Sequence, residues 1–446
     1  MSSNWLAVCF LTFASCQCAQ VPDVCFRGEC DAGVDAGAND AGVGGGGMTG
    51  GGGGSTGGGG GMTGGDGGMT GGGGVTGGGG GAPTPPFCDT WTCVTQNFSQ
   101  RELNPPTFTV STTALPTLTY DCPEAFLGGV LMPDDSVLAI PFCADHFVLI
   151  DAVNRTAQAI GPALPTVMQP AKDGGMEPAG RFTGGVLLCD GYALAIPARA
   201  GAPAAMVSID GGFSTFLYPV HTHVGAVLDG DCSNPSLVYV EPDATGTTQG
   251  KLRRVNIGGS FIEELALGST IPRGVVRRAD DVFAVIAGGS MDFGFIALDG
   301  GVVPLNPASG SPTAYGAAIT REGGALLIDA TNGGAGIATL GGGNTHFYDG
   351  GAPTDSLRWP RSRGDGYVCA VNDEGLWLYD DQLTGGITFR AETPTMNVRA
   401  WNGLVAHPNG DLVAIPGTAR VIKFYTPATG RPANGDALRS PWFNKL

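Results

Sequence analysis

Two histidines two positions apart, His221 and His223, form the one constellation in the chain suited to holding a metal ion or moving a proton. On a strand, side chains at i and i+2 leave the same face, so both imidazoles can address one ion. No carboxylate stands beside them in sequence, and Pro219 places them in a connection. There, two solvated surface histidines are the plainer reading. His146, His346 and His407 stand alone. Tyr315, Trp359 and Trp401 each open a strand-like stretch, and rings so placed either rim a ligand face or pack between neighbouring units. Cys25 with Cys30, and Cys88 with Cys93, are spaced to close small disulfide loops. A zinc knuckle would need a second thiol or histidine cluster that neither pair has beside it. Residues 53–57, GGSTG, fit a nucleophile elbow, and GxGxxG recurs around them. Neither has the preceding strand and following helix that the chemistry requires, so composition accounts for both.

The elements available to position these residues are short strands. Residues 128–151, GGVLMPDDSVLAIPFCADHFVLID, read as three apolar runs of strand length divided by polar turns at Asp134-Asp135 and Ala144-Asp145-His146. The same grammar returns in units starting at Phe126, Arg181, His223, Pro272, Tyr315, Trp359 and Trp401. Their spacing of about 40 to 55 residues is the period of four-stranded propeller blades. Each first strand is rich in Gly, Ala and Val, as crowding at a central axis demands. Each second strand (VLAIP, ALAIP, VFAVI, ALLI, LVAIP) is apolar almost throughout, as expected of a strand covered on both faces. No amphipathic helix of a dozen residues appears. The expected fold is all-β, a seven-bladed β-propeller over residues 120–446, and an open solenoid is the runner-up. Ring closure is assigned to residues 107–113, TFTVSTT, as the outer strand of the last blade, with the tail Ser440 to Phe443 as competitor.

Residues 208–214, SIDGGFS, resemble the Asp box of sialidase-like propellers, and fall where a turn should follow a third strand. Its work there is structural: the carboxylate accepts turn amides and glycine takes positive φ. The blades as a whole resemble a myxobacterial and protozoan family of surface or exported proteins, whose units read roughly GGVLxPDGxIYxIPxxAxxVLxID. The matches are residues 128–151, 184–210 and 403–425, and the ending SPWFNKL also resembles that family's. The resemblance implies the propeller and an exported location, and carries no assigned activity.

Before residue 120 the sequence cannot build a core. Residues 5–14, WLAVCFLTFA, are too short to span a bilayer and suit a signal-peptide core over 1–15. Ser15-Cys16 follows, resembling a lipobox, which implies a lipidated Cys16. Residues 16–86 are acidic, then dominated by glycine, and read as a disordered tether. About forty Gly-rich residues reach about 35 Å. Residues 87–119 form a cysteine-containing lead-in with the possible closing strand. Among Cys122, Cys143 and Cys189 one disulfide is expected, with the pair left open.

Forty acidic against 23 basic residues give a net charge of −17, which repels phosphate backbones and argues against nucleic acid as partner. Twelve cysteines fit an oxidising compartment. The expectation is therefore an exported monomer, outer-membrane-anchored through lipid or extracellular. It would bind protein or glycan at the cell surface without catalysis or cofactor. The alternative is a propeller hydrolase or lyase with a shallow, metal-assisted site near His221 and His223.

Overall fold

A computed structural model describes residues 86–98, 100–101, 103–170, 175–222, 224–241, 250–268, 271–287, 293–304, 314–329, 335–340, 344–348, 358–372, 374–383, 387–391, 399–428 and 434–443. Cys16, Cys25, Cys30, His223 and the expected tether up to residue 85 lie outside them.

Seven four-stranded antiparallel sheets follow one another along the chain. Blade 1 spans 126–160, blade 2 182–217, blade 3 226–266, blade 4 271–304, blade 5 314–348 and blade 6 358–391. Blade 7 takes three strands from 401–427 and its outer strand from Phe108–Ala114. The first strand of every blade touches the first strand of the next, and that of blade 7 touches that of blade 1, so the ring is closed. The chain is a seven-bladed β-propeller.

Closure follows the expected route with a one-residue offset. Phe108–Ala114 pairs antiparallel with Val421–Pro427, Val110 opposite Tyr425, and Phe108 is buried against the Tyr425 ring edge at 6.4 Å. Pairing a strand before blade 1 with the last strand of blade 7 closes the ring with backbone hydrogen bonds, so the ring cannot open there without breaking that ladder. The tail does not compete for that edge and lies elsewhere.

Small residues at the axis are a steric necessity. Counting back four residues from the one that opens the first turn gives Gly128, Gly184, Gly225, Gly274, Gly316 and Gly403 in six blades. A Cβ on Gly403, whose φ is 156°, would stand 2.9 Å from the Cα of Gly128 in the neighbouring inner strand. The second strands of blades 1, 2 and 7 are buried at every position, sandwiched between neighbours. Val130, Leu138 and Ile140 of blade 1 share one core cluster with Val186, Leu194 and Ile196 of blade 2.

One face of the ring carries a lid built from both ends of the described chain. A short helix, α1 (Trp91–Gln96), is N-capped by Thr90, and a second, α2 (Gly435–Leu438), by Asn434. Helices this short are marginal alone and are held by tertiary contacts. Cys88 donates its amide to the Asp436 carbonyl at 2.9 Å, and a Cys88–Cys93 disulfide closes the loop before α1. Trp91 packs on Trp442 and on Phe98, and Phe98 on Phe443, with ring centroids 5.7–5.8 Å apart. The lid sits on the turns joining first to second strands. Arg439 reaches Asp135 of blade 1, Trp442 donates to the Arg278 carbonyl of blade 4 at 2.8 Å, and Arg277 stacks over Trp442 at 4.0 Å.

Candidate functional site

With one face lidded, the candidate site lies on the opposite face, where the chain enters each inner strand. The longest described connection there is 161–181, between blades 1 and 2. It folds a hairpin of Val167–Pro170 against Met176–Ala179. Gln169 and Glu177 pair across the hairpin, with Gln169 Nε2 donating to Glu177 Oε1 at 2.6 Å, and Gln169 and Ala179 are buried. Because strand side chains alternate, Met168, Met176 and Pro178 point the other way, and all three are exposed. The alternation in VMQP and MEPA was the available signal. Its short strands fall below the length at which periodicity stands out.

Polar groups around this face are tied into pairs. Arg181, 3 % exposed, bonds Asp121 and donates through Nε to the Pro165 carbonyl at 3.0 Å. Arg399 meets Glu124 at 2.5 Å, and buried Asn402 donates to Glu124 and to the Phe126 carbonyl. Arg420 stacks on Tyr120 at 3.7 Å. A Cys122–Cys143 disulfide fixes the entry to blade 1, which settles the pair left open among Cys122, Cys143 and Cys189. Cys189 joins Cys232 instead, stapling the first turns of blades 2 and 3 on the lidded side. That bond was not foreseen, because nothing in the sequence reports that turns of adjacent blades touch.

His221 is half-buried in the connection entering blade 3, and desolvation pushes its pKa below the usual histidine value. A neutral imidazole is what a metal would want. The carboxylate that influences it, Glu241, is already engaged with Arg253 at 2.5 Å. Thr222 between the two histidines is buried and pinned: its amide donates to the Pro197 carbonyl at 3.1 Å and its carbonyl accepts from Thr183 at 2.8 Å. Among the described residues no three His, Cys, Asp or Glu side chains are gathered as a metal site.

The three aromatic residues all fall on inner strands, Tyr315 in blade 5, Trp359 in blade 6 and Trp401 in blade 7. The side chains of Tyr315 and Trp359 lie outside the described residues. Trp401 is 2 % exposed and has the Lys423 ammonium 4.4 Å from its ring, so it packs within blade 7 and offers no surface to a ligand. Trp359 has a different interest: it occupies in blade 6 the place that glycine takes in the other six. Two residues on, Val130, Val186, Val227, Val276, Ala318 and Val405 are matched in blade 6 by Arg361, which is buried and whose pKa burial lowers to about 10. Comparing the repeats with each other would have singled out Arg361, and it is where the ring departs furthest from its own pattern. The bulge of that strand is displaced too, lying between Arg358 and Arg361.

The Asp-box residues form the expected exposed turn between the third and outer strands of blade 2. Ser208 bonds Asp210, Gly212 donates to Asp210 Oδ1 at 3.2 Å, and the Ser208 amide donates to the Gly212 carbonyl at 2.9 Å.

No family model and no curated protein matches the chain, so the likeness to exported repeat proteins stands on its motifs. Solved structures do match. A streptogramin B lyase aligns with a TM-score of 0.50 at 13 % identity, covering 72 % of this chain and 98 % of that one. Catalytically inactive virginiamycin B lyase from Staphylococcus aureus with quinupristin aligns at 0.52 and 11 % identity, covering 72 % and 99 %. Hydrazine synthase of Kuenenia stuttgartiensis aligns at 0.50 and 12 %, covering 71 % and 99 %. At such identities the likeness is one of fold alone, that of a β-propeller.

Proposed function

We propose that the protein is an exported propeller, tethered by lipid on Cys16, that binds a protein or glycan at the cell surface without catalysis. The observation that carries this reading is the unequal treatment of the two faces. Both ends of the described chain close one face, while the other carries a hairpin whose outward side is Met168, Met176 and Pro178. Unbranched, polarisable methionine adapts to a partner's contours, and an exposed apolar face on a projecting element marks an interaction surface. The chain enters the domain at Pro86, whose carbonyl accepts from Arg439 of the lid at 2.9 Å.

Each carboxylate named above on that face is paired with a neighbouring cation or accepts from a side-chain amide, a pattern that positions loops rather than activates a base. The test is capture of surface proteins and glycans by the mature protein. A reproducible partner supports the reading, and none across protein and glycan panels would sink it.

A further inference from the structure

The turn between the second and third strands of blade 2, residues 197–203, lies on the face that carries the hairpin. It reads PARAGAP, one cation among small apolar residues. Three hydrogen bonds fix its place. The Ala198 amide donates at 3.0 Å to the carbonyl of Arg181, two residues past the end of the hairpin. The Thr222 amide, beside His221, donates to the Pro197 carbonyl at 3.1 Å, and the Ala202 amide closes the turn on the Arg199 carbonyl at 3.3 Å. Arg199 is thereby held between the foot of the hairpin and the connection into blade 3. Its side chain is half-buried, and among the described arginine side chains it alone has no hydrogen bond, ion pair or ring partner. Its neighbours show the contrast. Arg181 is paired with Asp121 and Arg399 with Glu124. Arg420, in the corresponding turn of blade 7, stacks on Tyr120 and donates to the Pro123 carbonyl at 3.3 Å. A guanidinium drawn partly out of water without an acceptor bears a desolvation cost that nothing offsets. An incoming carboxylate, which matches its fork of donors, would offset it.

We propose that Arg199 anchors the partner, taking a carboxylate of an acidic protein segment whose apolar side chains settle on the hairpin methionines, Met168 and Met176. This rests on the reading that the hairpin face binds a partner, and it names that partner's chemistry. In a chain with 40 acidic and 23 basic residues, a cation left without an internal carboxylate is the exception, and local charge complementarity selects an acid. A protein segment supplies what this face asks for, a carboxylate and apolar side chains a few residues apart. An acidic sugar fits it less well. Sugar rings lie on open aromatic faces, and on this face Tyr120 is covered by Arg420 and Tyr218 is buried. His221, half-buried across the Thr222–Pro197 hydrogen bond, adds an imidazole that burial keeps neutral, a hydrogen-bonding group with no charge to compete for the acid.

The test is a charge cycle on the mature protein. The probes are short peptides that set one Asp or Glu among apolar residues, each with an Asn or Gln twin, arrayed beside uronate oligosaccharides. The wild type should bind acidic peptides about tenfold more tightly than their amide twins. Arg199→Gln should lose that factor on the acidic peptides and bind both twins alike, while Arg199→Lys keeps part of the preference. Because the guanidinium has no partner within the chain, Arg199→Gln should not lower the urea unfolding midpoint. Peptides bound equally as acid and amide would overturn the anchor and leave the binding face standing. So would an acid preference that survives in Arg199→Gln, binding confined to the uronate oligosaccharides, or a lowered midpoint in Arg199→Gln. Silence across peptides and sugars would sink both readings.

Discussion

Replacing Trp442 by alanine tests whether the lid is part of the fold or an ornament on it. The ring is 2 % exposed, so truncation removes a whole buried aromatic side chain, a change that costs about 3 to 5 kcal/mol in cores. Two further losses bear on the same residue. Its Nε1–H no longer donates to the Arg278 carbonyl, a hydrogen bond worth about 1 kcal/mol. The Arg277 guanidinium, 4.0 Å from the ring, loses its aromatic partner, worth about 1 to 2 kcal/mol where water is excluded. These contributions overlap, and the expected destabilisation is about 4 to 6 kcal/mol. Trp442→Phe keeps a ring for Arg277 and Trp91 but removes the donor, and should cost about 1 to 2 kcal/mol. Urea unfolding followed by circular dichroism gives both values, the midpoint shift multiplied by the slope. Arg277 also donates to the Leu228 carbonyl of blade 3 at 3.0 Å, so the damage should spread to the contact between blades 3 and 4. A loss below 1 kcal/mol for Trp442→Ala would refute the view that the termini brace the ring.

Three other outcomes are expected, two from the geometry of the ring and one from the proposed anchor. Changing Cys189 and Cys232 together to serine should cost about 3 to 4 kcal/mol, since their bond closes a loop of 43 residues, measured as a shift in the unfolding midpoint; an unchanged midpoint would contradict the staple. Gly403→Ala should cost about 1 to 3 kcal/mol by driving a Cβ against Gly128 at the axis; calorimetry showing an unchanged transition would contradict the crowding account. Cys16→Ala should abolish incorporation of labelled fatty acid and release the protein from the membrane fraction, and persistence of label would refute the assigned anchor site.

The propeller was legible because its signal repeats. Inner strands rich in small residues recur in six of the seven units, followed by polar turns and largely apolar second strands, and each unit boundary falls within a few residues of the observed strand starts. The closing strand was legible for a different reason: TFTVSTT alternates polar and apolar residues, as strands do, although of Phe108–Ala114 only Phe108 is buried and Val110 stays exposed. Contacts made only in the closed ring left no such trace. The lid rests on helices of six and four residues, whose partners are hundreds of positions away. Arg101 meets Asp380 across 279 residues. Trp401 could equally have been a rim residue or packing from sequence, and the space beside Lys423 decides it. Arg361 was legible in principle, since it breaks a repeat, but only a register counted from the turns exposes the mismatch.

The most direct test of the account is to map a captured partner to one face of the ring. Charges placed on the hairpin, Met168→Glu with Met176→Glu, should abolish capture by the mature protein while leaving its unfolding midpoint unchanged. A change on the lidded side, Asp135→Asn, should leave capture intact. Capture that survives the hairpin charges and fails with the lidded-side change would contradict the account.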